Sequence, residues 1–419
     1  MKRKKSILFV SYYFDPVMLT ATRNFYIAHV LAQQGHDVHI LGQVTDQAKK
    51  YLLPNQFVHS VSALDYRKIL KWLGAKDGVT NQLIKKPLFV NWVHSFLLNY
   101  PWNKWLAEGG GLYLAKAIKM GDKLIKEHHI DIIYSSYRPI SDHFIAENIK
   151  RRNPSINWVG DFRDVLWWKS TDKQYQKKWI RNMLGNMDMI SAVTKGISDF
   201  WSKVSSHKVI PVYNGLPFFA KVKTVESTAK FEINYTGRIY TDFQKADALL
   251  AAIKELVAEN TQIKNDLLIR YSGFQYLHWN RWIEEYNLSA YNHSSFQVNQ
   301  TTALQYQSKA ALNILLTWCN DEIQGFIHGK FNEYVMARKP ILCLVEGKMD
   351  MELKQMYDEL GNSIILTNKS ENIKEIKKFI LDTYNAWQSN TEKLIREEIM
   401  DTYDWNRTAA PLLKFIESL

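Results

Sequence analysis

Short apolar runs alternate with helix-length amphipathic stretches along most of the chain. "SILFVSYY" near the start is rich in β-branched and aromatic residues and reads as a buried first strand behind a basic lead-in. The segment from Thr20 to Gln34 reads as a helix with Gly35 just past its end, and "HDVHILG" as the next strand. "DIIYSS" (Asp131–Ser136), "INWVGDF" (Ile156–Phe162) and "DMISAV" (Asp188–Val193) are further strand candidates, separated by helical patterns. This alternation predicts a parallel sheet covered on both faces. A second series begins near Phe231 with "FEINYTG", "DLLIRYSG", "SFQVN", "LNILLTW", "PILCLV" and "SIILTN". The helix expected after Lys245 has apolar residues at Ala246, Leu249, Leu250, Ile253, Leu256 and Val257, the spacing of a helix with one buried side. Turn residues in "VYNGLPFF", within Val212–Lys223, join the two series, and polar helices from about Ile373 close the chain.

Length and composition sharpen this picture. A chain of 419 residues is too long for one ordinary core, so two domains of roughly 200 residues each are expected. A hydrophobic fraction of 46% and a charged fraction of 23% exclude a disordered chain. Lys and Arg number 54 against 42 Asp and Glu, and the net +12 favours anionic partners: phosphates, a lipid surface or nucleic acid. The basic residues are not gathered on a recognised nucleic-acid module, so no nucleic acid is expected. Cys319 and Cys343, the two cysteines, sit in apolar runs, which argues for a reducing compartment rather than a disulfide framework. The first apolar run is short and Asp15-Pro16 follows it at once, unlike a signal peptide. No stretch reaches 18 apolar residues, so no membrane span is expected.

One segment, about 65–107, breaks the alternation. Arg67, Lys68, Lys71, Lys76, Lys85, Lys86 and Lys104 face only Asp65 and Asp77 there, leaving +5. They are interleaved with Trp72, Phe89, Trp92, Phe96, Tyr100, Trp102 and Trp105. Cations beside indole and phenyl rings suit an anionic lipid surface. The alternative is an insertion whose aromatics pack on their own domain.

Three constellations carry candidate chemistry. In "INYTGRIYTDFQKADAL", Gly237-Arg238 falls at the carboxyl end of a strand, where open parallel sheets bind ligands, and Lys245 falls at the start of the next helix. Two cations beside free N–H groups at a helix start could hold a diphosphate and stabilise it as it leaves. Solvated stray cations are the plainer reading. In "HGKFNEYVMARKPILCLV" (His328–Val345), Gly329-Lys330 would lie in a loop, Glu333 in the first turn of a short helix, and Pro340–Val345 in a strand. A carboxylate there suits a ribose diol, or it simply stabilises its own helix. In "WVGDFRDVLWW", Asp161, Arg163 and Asp164 gather at a strand end beside Trp167 and Trp168, which suits sugar hydroxyls and ring faces. An Asp–Arg ion pair shaping a loop is the rival.

These stretches, taken in order, resemble glycosyltransferase family 4. The matching segments are "ILFVSYYFDP", "GHDVHIL", "DIIYSSYRPISDHFIA", "WVGDFRD", "VYNG", "INYTGRI" with Lys245, "GKFNEYVMARKPIL" and "YDWNRTAAPLLKFI". They span nearly the whole chain. The resemblance implies an α/β GT-B fold: two Rossmann-like domains with parallel sheets facing across a cleft, and a C-terminal helix crossing back to the first. The domains would be 1–215 on the acceptor side, 216–400 binding the nucleotide sugar, and 401–419 as the crossing helix. Gly237, Arg238 and Lys245 would grip the donor diphosphate, with Lys330 and Gly325 nearby, and Glu333 would bind the ribose. Phe14–Arg23 and Asp161–Asp164 would face the acceptor. Members are usually retaining and need no metal. The expected activity is sugar transfer from a nucleotide-diphosphate sugar to a saccharide or lipid-linked saccharide in bacterial surface polysaccharide synthesis. The expected place is the cytoplasm, at the inner face of the plasma membrane. Asp164 is the candidate for taking the acceptor's proton, and Phe296–Gln300 the candidate for selecting the base.

The chain departs from the family pattern in two places. Gly325 stands where the family often has a Glu, eight residues before Glu333, with Glu322 and Gln324 near but out of register. Amides near Gly325 are the expected substitute. The family's early glycine-rich loop is replaced by "VMLTATR", where Arg23 or Thr22 would act. These departures keep two rivals open: a non-catalytic scaffold and a nucleotide-sugar epimerase. "EGGG" (Glu108–Gly111) follows no strand and is no dinucleotide motif. His128-His129 reads as a solvated helix end without spaced partners for a metal, and His143 as a buried structural histidine.

Overall fold

The computed structural model describes residues 4–18, 21–62, 64–74, 76–77, 83–85, 88–97, 99–100, 102–106, 109–137, 139–165, 178–217, 229–321, 324–327 and 329–419. Thr20, Lys86, Glu108, Trp167, Trp168, Glu322 and His328 lie outside these. The chain divides into two compact units, Met1–Asn214 with Trp405–Leu419, and Gly215–Asp404.

In the first unit β1 (Ser6–Phe14), β2 (Asp37–Val44), β3 (Gln56–Ser60), β4 (Ile132–Tyr137), β5 (Asn157–Phe162), β6 (Met189–Ala192) and β7 (Val209–Pro211) form one sheet in the order β3-β2-β1-β4-β5-β6-β7. Every pairing is parallel. Ile7, Leu8, Phe9 and Val10 of β1 are fully buried, as a central strand covered on both faces requires. The helix Thr22–Gln33 ends at Gly35, whose φ of +87° suits a residue without a Cβ. The Gly35 and His36 N–H groups donate back to Ala32 and Leu31, closing the helix with the two bonds of a Schellman turn. Trp405 stacks on Tyr26 with ring centroids 5.3 Å apart, and Leu412 and Ile416 of the last helix, Ala410–Ser418, are buried.

In the second unit β8 (Phe231–Thr236), β9 (Leu267–Ser272), β10 (Asn292–Ser295), β11 (Leu312–Cys319), β12 (Ile341–Gly347) and β13 (Ile364–Thr367) form a parallel sheet ordered β10-β9-β8-β11-β12-β13. The edge strand is Asn292–Ser295 and not the expected Ser295–Asn299. Polar "NHSS" is a strand because its backbone bonds to β9, whereas Phe296 turns its ring onto Phe274 in the following loop, centroids 5.1 Å apart. The strand expected at Pro340–Val345 runs Ile341–Gly347. Helix Asp247–Glu259 buries Leu249, Leu250, Ile253 and Leu256, each contributing roughly 1.5–3 kcal/mol. Helix Ile373–Gln388 packs on it, and Lys377 ties the pair by reaching Glu255 at 3.2 Å and Glu259 at 2.6 Å. Cys319 and Cys343 are buried free thiols.

The 65–107 insertion separates its aliphatic from its aromatic residues. Asp65 caps helix Tyr66–Trp72 by accepting the Lys68 N–H, and also accepts from Tyr12 Oη at 3.0 Å, fixing the insertion to β1. Leu70, Val90, Leu97 and Leu106 form a small core between helices Tyr66–Trp72, Leu88–Leu97 and Trp102–Leu106. Trp72 (85% exposed), Trp92 (72%) and Tyr100 (81%) face solvent instead. Packing on their own domain therefore does not account for these rings. No helix among the described residues is long and apolar enough to cross a membrane.

Candidate functional site

In the second unit β8 lies where the strand order reverses, with β9 on one side and β11 on the other. Loops leaving the carboxyl ends of strands at such a point line the ligand crevice of doubly wound sheets. Gly237 opens the loop with a φ of +148°, a region that side chains disfavour. Its N–H donates to Ser272 O at 3.0 Å and its carbonyl accepts from Tyr271 Oη at 2.9 Å, so the turn is held from β9. Gln244, fully buried, holds the far end. Its Nε2 donates to Leu316 O at 2.5 Å on β11, and its Oε1 accepts the Tyr240 N–H at 2.7 Å.

Arg238, between these anchors, and Lys245, directly after the second, are exposed, and neither pairs with a carboxylate among the described residues. The Arg238 guanidinium sits over the Tyr240 ring, 5.3 Å from its centroid. Lys245 precedes helix Asp247–Glu259, whose start is not wholly open, because the Ala248 N–H donates to Asn368 Oδ1 at 3.0 Å.

A second cluster adjoins the same strand end. Lys330 Nζ donates to Glu333 Oε2 at 2.6 Å, and the same oxygen accepts from Gln307 Nε2 at 2.9 Å. Gln307 also donates to Thr236 Oγ1 at 2.7 Å, and Tyr334 Oη accepts the Thr236 N–H at 3.2 Å. Glu333 is thus anchored to the last residue of β8 through one oxygen; its Oε1 carries no hydrogen bond among the described residues. Lys330 lies against Gly237, where an added Cβ would meet its Cε at 3.5 Å. Gly325, with φ +70°, donates its N–H to Asp350 Oδ2 at 2.7 Å. The amide expected to replace the family's Glu is therefore already bonded. Gln244, Gln307 and Asp350 were not singled out from sequence. Of these only Asp350 carries a local signal, since Asp before a helix reads as a cap, and it does cap helix Met351–Leu360.

In the first unit Arg23 and Asp161, expected to face an acceptor, are 2% and 0% exposed and bond to each other. Arg23 Nε and Nη2 donate to the two Asp161 oxygens at 2.9 and 2.7 Å, and Ser136 and Ser191 hydroxyls donate to the same oxygens at 2.9 and 2.7 Å. Arg23 Nη1 donates to Val212 O at 2.7 Å and Asn214 Oδ1 at 2.9 Å. The Asp–Arg ion-pair reading thus describes Asp161, with Arg23 rather than Arg163 as its partner, and neither residue is open to a sugar. Burial pushes the Asp161 carboxyl up, but the Arg23 charge and the bonds from Arg23, Ser191 and Ser136 outweigh it and leave the pKa below the ordinary value. Arg163 Nε donates to Tyr137 O at 2.6 Å, and Asp164 is half-buried next to it. Asp142 is fully buried, accepts the Tyr12 N–H at 2.8 Å, and is pushed up to about 8 by burial.

His143 is fully buried with Nδ1 2.8 Å from Ser135 Oγ, and burial pushes it down to about 3. His128 is exposed, yet it is not isolated. Its ring lies 4.3 Å from that of His39 and 5.7 Å from that of His59. The reading that it lacks spaced partners fails because both partners come from strands far away in sequence.

By sequence, neither a family model nor a curated protein matches the chain. Solved structures do. A glycosyltransferase from Rickettsia africae ESF-5 matches over 99% of this chain and 98% of its own, with a TM-score of 0.59 and 12% identity. WaaG, a glycosyltransferase involved in lipopolysaccharide biosynthesis, matches over 97% and 98%, with a TM-score of 0.52 and 12% identity. A UDP-N-acetylglucosamine 2-epimerase matches over 99% and 96%, with a TM-score of 0.50 and 13% identity. The α/β fold with its two parallel sheets is the GT-B fold.

Proposed function

We propose that the protein is a retaining glycosyltransferase of the family 4 type, a hexosyltransferase that uses a nucleotide-diphosphate sugar. The acceptor is a saccharide, lipid-linked, in the synthesis of a bacterial capsule, exopolysaccharide or O-antigen. The observation that carries this reading is the pair Arg238 and Lys245, exposed cations that pair with no carboxylate among the described residues, one within and one directly after a loop anchored at both ends beside the switch-point strand. Cleavage of the bond between the anomeric carbon and the diphosphate oxygen leaves positive charge on the sugar and negative charge on the leaving group. Arg238 and Lys245 neutralise the latter, a role that calls for no metal ion. Glu333 Oε1 accepts from the ribose hydroxyls while Oε2 stays fixed by Lys330 and Gln307. The acceptor hydroxyl attacks on the face the diphosphate leaves, retaining configuration, and Asp164 takes its proton.

The test is a panel of nucleotide sugars assayed with and without saccharide acceptors. Transfer or donor hydrolysis supports this reading. An isomerised donor would replace it with an epimerase, the activity of one GT-B neighbour. Neither reaction would leave a scaffold, the outcome that Gly325 in the place of a Glu keeps open.

The lipid-linked acceptor and the peripheral place on the inner face of the plasma membrane rest on the insertion. Trp72, Trp92 and Tyr100 are exposed in the same insertion as exposed Lys71, a combination suited to anionic headgroups. The full chain is expected to float with phosphatidylglycerol vesicles and to lose binding in high salt. Lys71→Gln should weaken binding by about 1 kcal/mol, roughly fivefold, and Trp72→Ala with Trp92→Ala by more. Failure to bind any anionic vesicle would remove the membrane from the proposal.

A further inference from the structure

We infer that His39, His59 and His128 form a binding site for a borderline-soft divalent cation of the Zn²⁺ class, unconnected with the sugar-transfer chemistry. The three residues come from β2, the edge strand β3 and the last position of helix Gly111–His128. One ring nitrogen from each lies within 4.8 Å of the other two, and His39 Nδ1 is 3.0 Å from His59 Nε2. Imidazole nitrogens about 2.0–2.1 Å from a tetrahedral ion stand roughly 3.3 Å apart, so small ring rotations bring the set onto one cation.

The competing explanation is a hydrogen bond between the His39 and His59 imidazoles beside a tilted third ring. It accounts for the His39–His59 distance but not for the third ring turning to the same point. No carboxylate among the described residues hydrogen-bonds any of the three, although Asp37 and Glu127 stand near enough to act through charge. Asp37 is paired with Lys4 at 2.8 Å and Glu127 with Lys123 at 3.6 Å. Three acceptor-capable rings without an anionic partner suit a cation that takes nitrogen ligands. The helix adds to this. Its backbone ends at His129, which has a left-handed φ of 47°, and places His128 at the negative pole of an 18-residue dipole.

The site lies on the half of the sheet away from the strand ends discussed above. In register His39 sits beside Leu8, which pairs with Ile133, whereas Asp161 pairs with Ser136 nearer the carboxyl ends. A bound ion would fasten the edge strand β3, which pairs in the sheet with β2, to the end of a long helix. Three protein ligands leave a fourth position for water.

The test uses the full chain, purified without a histidine tag and stripped with a chelator, then titrated with Co²⁺ and Zn²⁺. The expected result is one Co²⁺ per chain with the visible absorption of a four-coordinate nitrogen site, displaced by Zn²⁺, and a raised unfolding temperature in Zn²⁺. Loss of groups that merely support a ligand costs about 10–100-fold in metal affinity, so loss of a ligand should cost at least about tenfold. His128→Ala, at an exposed helix end, is the variant expected to fold normally, and His59→Ala is the second. His129→Ala, next door but outside the set, should leave affinity unchanged. Absence of stoichiometric binding, affinity unmoved by both His128→Ala and His59→Ala, or an equal loss in His129→Ala would overturn the site.

Discussion

Arg238→Ala is expected to lower turnover of the nucleotide sugar by about a hundredfold or more while lowering the unfolding temperature by no more than a few degrees. The two halves of that expectation have separate causes. The fold should not notice the change, because the side chain is exposed and its one contact among the described residues is the face of Tyr240. A surface contact of that kind contributes about 0.5–1 kcal/mol. The reaction should notice it, because in the proposed mechanism the guanidinium meets charge that grows as the diphosphate leaves. Losing a single preorganised donor of that kind costs roughly 10²–10³ in rate, about 2.7–4 kcal/mol. Arg238→Lys should recover only part, since an ammonium keeps the charge but not the planar fork that grips two oxygens. Lys245→Ala should fall in the same range. Gln244→Ala touches no substrate, but frees the loop from Leu316 O; it should lower turnover less than Arg238→Ala and make the loop more open to proteolysis. The measurement is single-turnover transfer or hydrolysis at saturating donor. Normal turnover by a folded Arg238→Ala protein would refute the diphosphate role.

How much of this could be read from the sequence follows from how local each signal is. β1 and β11 were legible because strands buried on both faces are continuous apolar runs. β10 was misplaced because an edge strand needs only backbone partners, and the apolar "FQV" beside it drew the expectation into the loop. The placement of Arg238 and Lys245 at a strand end and before a helix start was legible because those signals are local in the sequence. The groups that hold the site were not. Gln307 reaches Thr236 across 71 residues and Gln244 reaches Leu316 across 72. A glutamine that is buried looks in sequence like any surface glutamine until its neighbours are known. The histidines show the same limit: the sheet order sets His39 beside His59, and the end of helix Gly111–His128 brings the third ring to them.

Arg23→Ala should destabilise the first unit by about 3–5 kcal/mol, because it strands a buried carboxylate whose charge the guanidinium balances. Asp161 would keep the Ser136 and Ser191 hydroxyls, and neutral donors do not replace a cation at that burial. The pH dependence identifies the cause. In the native protein Asp161 titrates below its unfolded value, so its stabilising contribution is complete above the ordinary carboxylate pKa and is lost as pH falls through the lower folded one. In the variant the same carboxyl, buried without its cation, should titrate above the unfolded value. Its destabilising effect is then greatest at neutral pH and shrinks as acid protonates it, so the gap between native and variant narrows toward pH 4. Urea unfolding followed by hydrogen exchange in β4 and β5 measures that gap. A double change to apolar residues, Arg23→Leu with Asp161→Leu, should cost less than Arg23→Ala alone, since no charge is left unpaired. An acceptor-binding role for Arg23 would give a different signature: turnover lost in Arg23→Ala with stability intact at every pH. A cost below about 1 kcal/mol, or one that does not change with pH, would remove the buried pair as the element that ties helix Thr22–Gln33 to the carboxyl ends of β4, β5 and β6.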